Sequence, residues 1–218
     1  MIWNWDYTWQ VLPDILRAFG VTLQATLAGF ALAAVLGLGW ATARMSPWRW
    51  LAASATGIVE FVRSTPLLIQ LYFLYYVLPD YGIALSPLVT GIIALGLHYS
   101  CYTAEVYRAG IEAVPQGQWE AARALNLSTR ATWTRIILPQ AIRPTLPMLG
   151  NYLIAMFKDT PLLAAITVME MLQTAKLTGA QSFRYLEPLT ITGVVFLVVS
   201  LLASWTVRHL ETRHAIRR

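Results

Sequence analysis

The sequence predicts an all-α membrane protein with about five transmembrane helices. Only 12% of its 218 residues are charged, whereas a water-soluble domain carries roughly 25%. Hydrophobic residues make up 57% of the chain, and its mean hydropathy is +0.54. The chain also has 9 Trp and 10 Tyr residues, side chains that are enriched at the membrane–water interfaces. Lipid rather than water is therefore the expected solvent.

Three segments are long and apolar enough to cross a membrane without further argument. They cover residues 18–43, 87–107 and 188–207. A hydrocarbon core of about 30 Å requires roughly 20 helical residues, and each segment meets that length. Residues 1–17, which include three Trp residues, are expected to form an external interfacial segment before the first span.

A further span reaches the required length only if it covers residues 51–78 and includes Glu60 and Arg63. Ionisable side chains within a membrane are costly and usually face a partner or a water-filled cavity. Glu60 and Arg63 are three residues apart on one helix face, so they can pair with each other or line a substrate path. Tyr72 can pack at the interface or line the same path, where its ring could hold a cation.

The remaining span, residues 145–169, is long enough only if Lys158 and Asp159 are included. Adjacent helical residues diverge by about 100°, so these two side chains cannot share one face. Contact with another helix and contact with a solute are both open to them.

Two polar residues lie within the span 87–107. We expect His98 to form a buried hydrogen bond between helices, although a place on the substrate path is also open to it. Glu105 lies near the cytoplasmic end, where it can act as a gate or pair with Arg108.

The distribution of Lys and Arg predicts an external N-terminus and a cytoplasmic tail, residues 209–218. Loops on the predicted cytoplasmic side contain eleven basic residues and external segments contain three, as the positive-inside rule requires. The Arg residues do not form one basic face, which argues against nucleic-acid binding. The single cysteine, Cys101, excludes an internal disulfide framework and a cysteine-cluster metal site.

The loop between the third and fourth spans, residues 108–143, is the most informative part of the chain. Residues 116–125 are good helix formers, but a helix of this length is unstable alone in water and needs a surface to dock on. Asn126 tolerates the left-handed conformation that ends a helix. Ser128 can cap the helix that follows. A helix–turn–helix is therefore expected.

This loop resembles the EAA loop of the membrane subunits of binding-protein-dependent ABC importers. The resemblance rests on Glu120-Ala121-Ala122 followed at the family spacing by Asn126, where the family has Gly, and by Ile-x-Leu-Pro at 136–139. Four flanking segments resemble the branch for polar amino acids and related solutes. They are residues 63–70, 104–110, 114–122 and 158–162. The likeness covers about residues 20–208.

The resemblance implies the type I ABC importer permease fold, with residues 18–208 as its transmembrane domain. It implies two ATP-binding subunits, a second permease subunit in a homo- or heterodimer, an external or periplasmic solute-binding protein, and a bacterial inner membrane as the location. The residues expected to couple the permease to the ATPase are Trp119, Glu120, Ala121, Ala122, Arg123, Leu125 and Asn126. The candidate substrate path consists of Glu60, Arg63, Tyr72, His98, Glu105, Lys158 and Asp159. The expected solute is a polar amino acid or an amino-acid-like solute of the ectoine type.

The chain itself is expected to bind no cofactor and no metal, and to contain no catalytic residues. It lacks the Gly-x-x-x-x-Gly-Lys-Ser/Thr phosphate loop, so ATP and Mg²⁺ would be used by a partner subunit. An intramembrane enzyme would need an ordered nucleophile, base and orienting group, which the sequence does not show. A transporter acting alone would be expected to show repeated inverted halves, which we do not find.

Overall fold

The structure, a computed structural model, describes residues 2–214, and these residues form helices without any β-strand. The predicted all-α fold class is confirmed. The helices are α1 (Trp5–Arg44), α2 (Arg49–Ser64), α3 (Leu67–Tyr72), α4 (Pro87–Glu112), α5 (Gln116–Ala124), α6 (Thr129–Ala131), α7 (Leu138–Asp159), α8 (Met171–Ser182) and α9 (Leu186–His214). Tighter and wider turns extend some of them: π-helical turns at Phe73–Val77 and Thr132–Ile137, and 3₁₀ turns at Leu78–Tyr81 and Thr160–Ile166.

Helix α4 is the centre of the bundle and packs mainly on α1 and α7. Gly37 makes the contact with α1 possible, because a Cβ there would lie 2.0 Å from Thr103 Oγ1. The Thr103 hydroxyl in turn donates a hydrogen bond to the Ala33 carbonyl at 2.9 Å. Small residues that let helix backbones approach are typical of membrane helix pairs.

Helix α1 begins earlier than the sequence indicated. The predicted first span starts at residue 18, but the helix starts at Trp5, where the Asn4 side chain accepts a hydrogen bond from the Tyr7 N–H at 3.1 Å. Val11 and Ile15 are buried against neighbouring helices, so the external segment is part of the bundle. With 40 residues, α1 is about 60 Å long and extends beyond a hydrocarbon core.

The predicted span 51–78 is interrupted. Helix α2 ends at Ser64, and the two halves of the segment make an angle of 102°. The cause is Pro66, since the residue before a proline is pushed out of helical geometry and Thr65 has φ −107° and ψ 138°. The Gln70 side-chain amide donates to the Val62 carbonyl at 2.8 Å and the Thr65 carbonyl at 3.1 Å, which satisfies carbonyls at the break.

The later spans also differ at their ends from the sequence boundaries. Helix α7 starts at Leu138, inside the predicted loop 108–143, and the helical path bends by 48° after Ile166. Thr167 stands in the left-handed conformation with φ 63°. Helix α9 continues past the predicted end of the fifth span into the tail 209–218, of which residues 215–218 lie outside the described residues.

Among the described residues, α1 and α9 are the helices that are long and apolar enough to cross a membrane alone, and each of the two bent pairs could add one span. Helix α4 would be the fifth. It has 26 residues, about 39 Å of helix, but its central polar groups lower its apolar character. His98, Tyr99 and Ser100 are buried against other helices, so this face does not meet lipid.

Candidate functional site

The predicted loop helix is present as α5, and Asn126 ends it in the expected way. Asn126 has φ 51°, its N–H donates to the Arg123 carbonyl at 3.0 Å, and the Leu127 N–H donates to the Ala122 carbonyl at 3.1 Å. These two bonds form the Schellman motif, in which a residue with positive φ satisfies the last carbonyls of the helix. Ser128 accepts from the Ala131 N–H at 3.3 Å and starts the next helix.

Helix α5 is held on its own chain along one side. Trp119 packs edge-to-face on Trp133, with ring centroids 5.3 Å apart, and Ala122 is buried. Gln140 donates a side-chain hydrogen bond to Gln118 at 3.1 Å. Two of the seven predicted coupling residues, Trp119 and Ala122, therefore anchor the helix internally. Trp133 gave no signal in the sequence, because nothing local shows which way a loop tryptophan points.

The remaining surface of α5 is exposed. Five of the seven predicted coupling residues are exposed there: Glu120, Ala121, Arg123, Leu125 and Asn126. Leu125, the residue that follows α5, has 71% of its surface exposed. The exposed face thus combines one acidic, one basic and one large apolar side chain on a slim alanine framework.

Glu105 is the centre of an ion cluster, which we call the Glu105 cluster, that links three helices. One carboxylate oxygen accepts from Arg44 of α1 at 2.7 Å and from Arg63 of α2 at 3.0 Å. The other accepts from Arg108 of α4 at 3.1 Å. The predicted pairing with Arg108 is present, but no local pattern in the sequence indicates Arg44, which is 61 residues away. Only tertiary contact brings it to Glu105.

Two more carboxylates extend the Glu105 cluster. Glu112 accepts from Arg108 at 2.7 Å, and Glu60 lies 3.8 Å from Arg63. The predicted contact of Glu60 with Arg63 therefore exists as a long one, while Arg63 lies closer to Glu105. Three arginines face three carboxylates in this cluster, so its formal charges balance.

A second group of side chains, which we call the polar aromatic group, lies along α4 on the N-terminal side of Glu105. His98 Nδ1 is 3.2 Å from Gln70 Oε1, and the Tyr99 hydroxyl donates to Asp159 at 2.7 Å. The Tyr102 and Tyr152 rings, with centroids 5.7 Å apart, complete the group. The expected hydrogen bond of His98 between helices is thus present. Asp159 is brought to α4, whereas its neighbour Lys158 is not.

Lys158 and Tyr72 lie apart from these groups. Lys158 is exposed and makes no ion pair with any residue that the structure describes, so it differs from Asp159 as their angular separation predicted. Tyr72 is partly exposed beside Tyr76, with ring centroids 5.7 Å apart. The substrate-path residues therefore fall into one ion cluster, one polar aromatic group and two separate side chains.

Glu187, which is not among the site residues predicted from the sequence, forms an ion pair near the start of α1. The carboxylate is fully buried and accepts from Arg184 and from the Asn4 N–H. Arg184 also donates to the Ile2 carbonyl at 2.9 Å. These contacts fix the start of α1 to the turn between α8 and α9.

Ser100 and Cys101, the two side chains of α4 that could serve as nucleophiles in an intramembrane enzyme, are engaged in structural bonds. The Ser100 hydroxyl donates to the Leu97 carbonyl at 2.6 Å and accepts from Trp40 Nε1 at 3.1 Å. The Cys101 thiol is buried and points to the Leu97 carbonyl at 3.6 Å. Within residues 2–214, neither side chain hydrogen-bonds to a histidine or carboxylate that could activate it. No group of three metal-ligating side chains occurs among residues 2–214.

The chain resembles known importer subunits over almost its whole length. Residues 33–215 match the family described as "Binding-protein-dependent transport system inner membrane component". A probable amino-acid ABC transporter permease protein of Sinorhizobium fredii is 49% identical over 91% of this chain and 86% of its own. The L-cystine transport system permease protein TcyB of Bacillus subtilis is 35% identical over 95% of this chain and 91% of its own.

Solved structures agree with these relatives. A crystal structure of an amino acid ABC transporter with histidines superimposes with a TM-score of 0.89 and 31% identity, covering 98% of this chain and 100% of that one. The MetNI methionine ABC transporter shares the fold, with a TM-score of 0.69 at 16% identity over 95% of this chain and 99% of that one. Because the match covers most of the sequence, the chain belongs to the inner-membrane components of binding-protein-dependent transport systems and is a permease subunit of an ABC importer, not an enzyme.

Proposed function

We propose that the chain forms half of the pore of an ATP-driven importer of a polar amino acid. Relatives are named as permease proteins of transport systems for L-cystine, octopine and nopaline, and another as a probable glutamine ABC transporter permease protein. None of these names supports the ectoine-type solute that the sequence also left open. A second permease subunit would complete the pore, and a solute-binding protein would deliver the solute.

The exposed side of α5 carries the proposal for coupling. Internal packing of Trp119 and Ala122 presents Glu120, Arg123 and Leu125 outward, and a short helix with such a face needs a partner. That partner is an ATP-binding subunit, one for each of the two permease subunits. ATP and Mg²⁺ bind to the partner and not to this chain. Closure of the ATP-binding subunits is transmitted through α5 as a rigid-body movement of the helices.

The polar aromatic group is the proposed site of solute passage. Asp159 supplies a carboxylate for the ammonium of a zwitterion, and the tyrosine rings supply cation–π faces. Replacing Asp159 with Asn removes the charge and keeps the shape. We expect the KM for the amino acid to rise about tenfold with little change in maximal rate, measured in vesicles with the assembled importer.

The coupling proposal is tested by the substitution Glu120→Arg. Reversing the charge on the docking face should lower transport and solute-stimulated ATP hydrolysis together by at least about tenfold, because the contact between charged partners is replaced by repulsion. Membrane insertion should be unchanged, since Glu120 lies outside the predicted spans and forms no side-chain hydrogen bond or ion pair with the residues that the structure describes. Normal transport by Glu120→Arg would remove the coupling role of α5.

Asn126 provides a matched pair of variants for the same helix. Asn126→Gly should transport as well as the wild type, because glycine adopts φ 51° without strain. Asn126→Val should reduce transport severalfold, since a β-branched residue strongly disfavours positive φ. Transport into vesicles and co-purification of the ATP-binding subunit are the two measurements, and equal transport and equal recovery with both variants would show that the end of α5 is not part of the docking surface.

The orientation follows from the basic residues, with the N-terminus outside and the C-terminus in the cytoplasm. A peptide tag added at Met1 should be accessible to an impermeant antibody in intact spheroplasts. A tag added at Arg218 should become accessible only after the membrane is opened. Accessibility of both tags from one side would contradict the five-span topology.

A further inference from the structure

The break between α2 and α3 is attached to α4 through three side chains on one face of α4. His98, Tyr102 and Glu105 are spaced by four and then three residues, which places them above one another on a helix. His98 contacts Gln70 just after the break. Tyr102 lies under the Arg63 guanidinium, 5.4 Å from ring centroid to Cζ, and Glu105 accepts from Arg63 just before the break.

Arg63 is the one member of these contacts with two carboxylates in reach. Its Nη1 lies 3.0 Å from Glu105 and 3.8 Å from Glu60. If Arg63 moves to Glu60, Glu105 still has Arg44 at 2.7 Å and Arg108 at 3.1 Å. No charge is left unpaired after the exchange, so separating α2 from α4 avoids the large cost of an isolated charge near the membrane.

In the same cluster, Arg44 is a partner of Glu105 that has no second carboxylate to move to among the described residues. Only 12% of its side chain is exposed, and Glu105 is the carboxylate that it contacts among the described residues. Arg63 is 34% exposed, so water can reach it during an exchange. Arg44 and Arg63 contact the same oxygen of Glu105, but Arg63 can break this contact more easily.

We propose that Arg63 is a switchable link between α2 and α4, which passes from Glu105 to Glu60 when the α2–α3 break changes its angle during transport. The link sets how fast the importer turns over and does not recognise the solute. It rests on the proposed function as an amino-acid importer, and it assigns Glu60, Arg63 and Glu105 to positioning the helices instead of to the substrate path.

The test is Glu60→Gln in the complete importer, reconstituted in vesicles with its ATP-binding subunits and solute-binding protein. Without the second carboxylate Arg63 stays on Glu105, and the maximal transport rate should fall about fivefold, the size of one partly exposed ion pair. The KM for the amino acid should not change. Glu60→Asp should recover most of the rate. Asp14→Asn is the matched control, since Asp14 and Arg17 form an exposed pair with the same three-residue spacing at 3.1 Å.

Arg63→Gln tests the same link by removing the arginine instead of its second carboxylate. It frees α2 from α4, so ATP hydrolysis without solute should rise while transport falls, and Arg63→Lys should restore part of the coupling. An unchanged maximal rate in Glu60→Gln together with unchanged coupling in Arg63→Gln would overturn the proposal. So would a higher KM at constant maximal rate, which would place Glu60 on the substrate path. Failure of the wild-type complex to accumulate any amino acid would instead refute the proposed function.

Discussion

The two ends of α1 are held by the same chemistry in different arrangements. At Arg44 the helix joins the Glu105 cluster, in which one carboxylate serves three arginines and is 24% exposed. At Asn4 it joins Glu187, which is fully buried and has a single arginine partner, Arg184. A carboxylate with several partners can lose one and remain paired, whereas a buried one with a single cation cannot. The cluster at Arg44 therefore allows neighbouring helices to move, whereas the buried pair at Asn4 holds the start of α1 in a fixed position.

The substitution Glu187→Ala is the most direct test of the difference between the two ends of α1. The substitution leaves Arg184 without its carboxylate and the Asn4 N–H without its acceptor, so the start of α1 loses its attachment to the turn before α9. We expect the largest effect of the series, a fall of about 5 °C or more in the midpoint of thermal unfolding in detergent. Asp14→Ala, which removes an exposed carboxylate on the same helix, should change the midpoint by less than about 1 °C.

Arg44→Gln should have an intermediate effect. It removes the least exposed arginine of the Glu105 cluster, but Glu105 keeps Arg63 and Arg108. We expect the unfolding midpoint to fall by about 2–3 °C. A fall as large as that of Glu187→Ala would show that the other arginines do not compensate and that the two ends of α1 are equally rigid.

Glu112→Gln should have the smallest effect. Its side chain is 53% exposed, and Arg108 retains Glu105 when it is lost. The expected change in unfolding midpoint is within about 1 °C, measured in the same detergent. A larger change would mean that Arg108 depends on Glu112, and the cluster would then be a chain of required pairs.

Rules that depend on neighbouring residues alone were sufficient to predict where the loop helix α5 starts and ends. Helix formers from Gln116, the left-handed tendency of Asn126 and the capping ability of Ser128 are properties of neighbouring residues, and the structure follows all three. The family resemblance added the partner, which no local rule contains. The direction of Trp119 was not predictable, because it depends on Trp133 in a later turn.

Longer-range features were not predictable from single residues. The sequence predicted one continuous second span, and it could not show that Gln70 would bridge a break at Pro66 or that the two halves would lie 102° apart. Length and apolarity placed the start of the first span at residue 18, while the packing of Val11 and Ile15 extends the helix to Trp5. The contact of Arg44 with Glu105 likewise exists only once α1 and α4 have packed.

Cys101 has a practical consequence for following the proposed movement. It is the only cysteine in the chain, its side chain is 1% exposed, and its thiol faces the Leu97 carbonyl. Water-soluble maleimides should therefore leave the unaltered protein unlabelled under native conditions, since they require an accessible thiolate. A cysteine introduced at an exposed position of α2, such as Ser54, would then be the one reactive thiol of this chain, and a fluorophore or spin label attached there would report changes in the surroundings of α2.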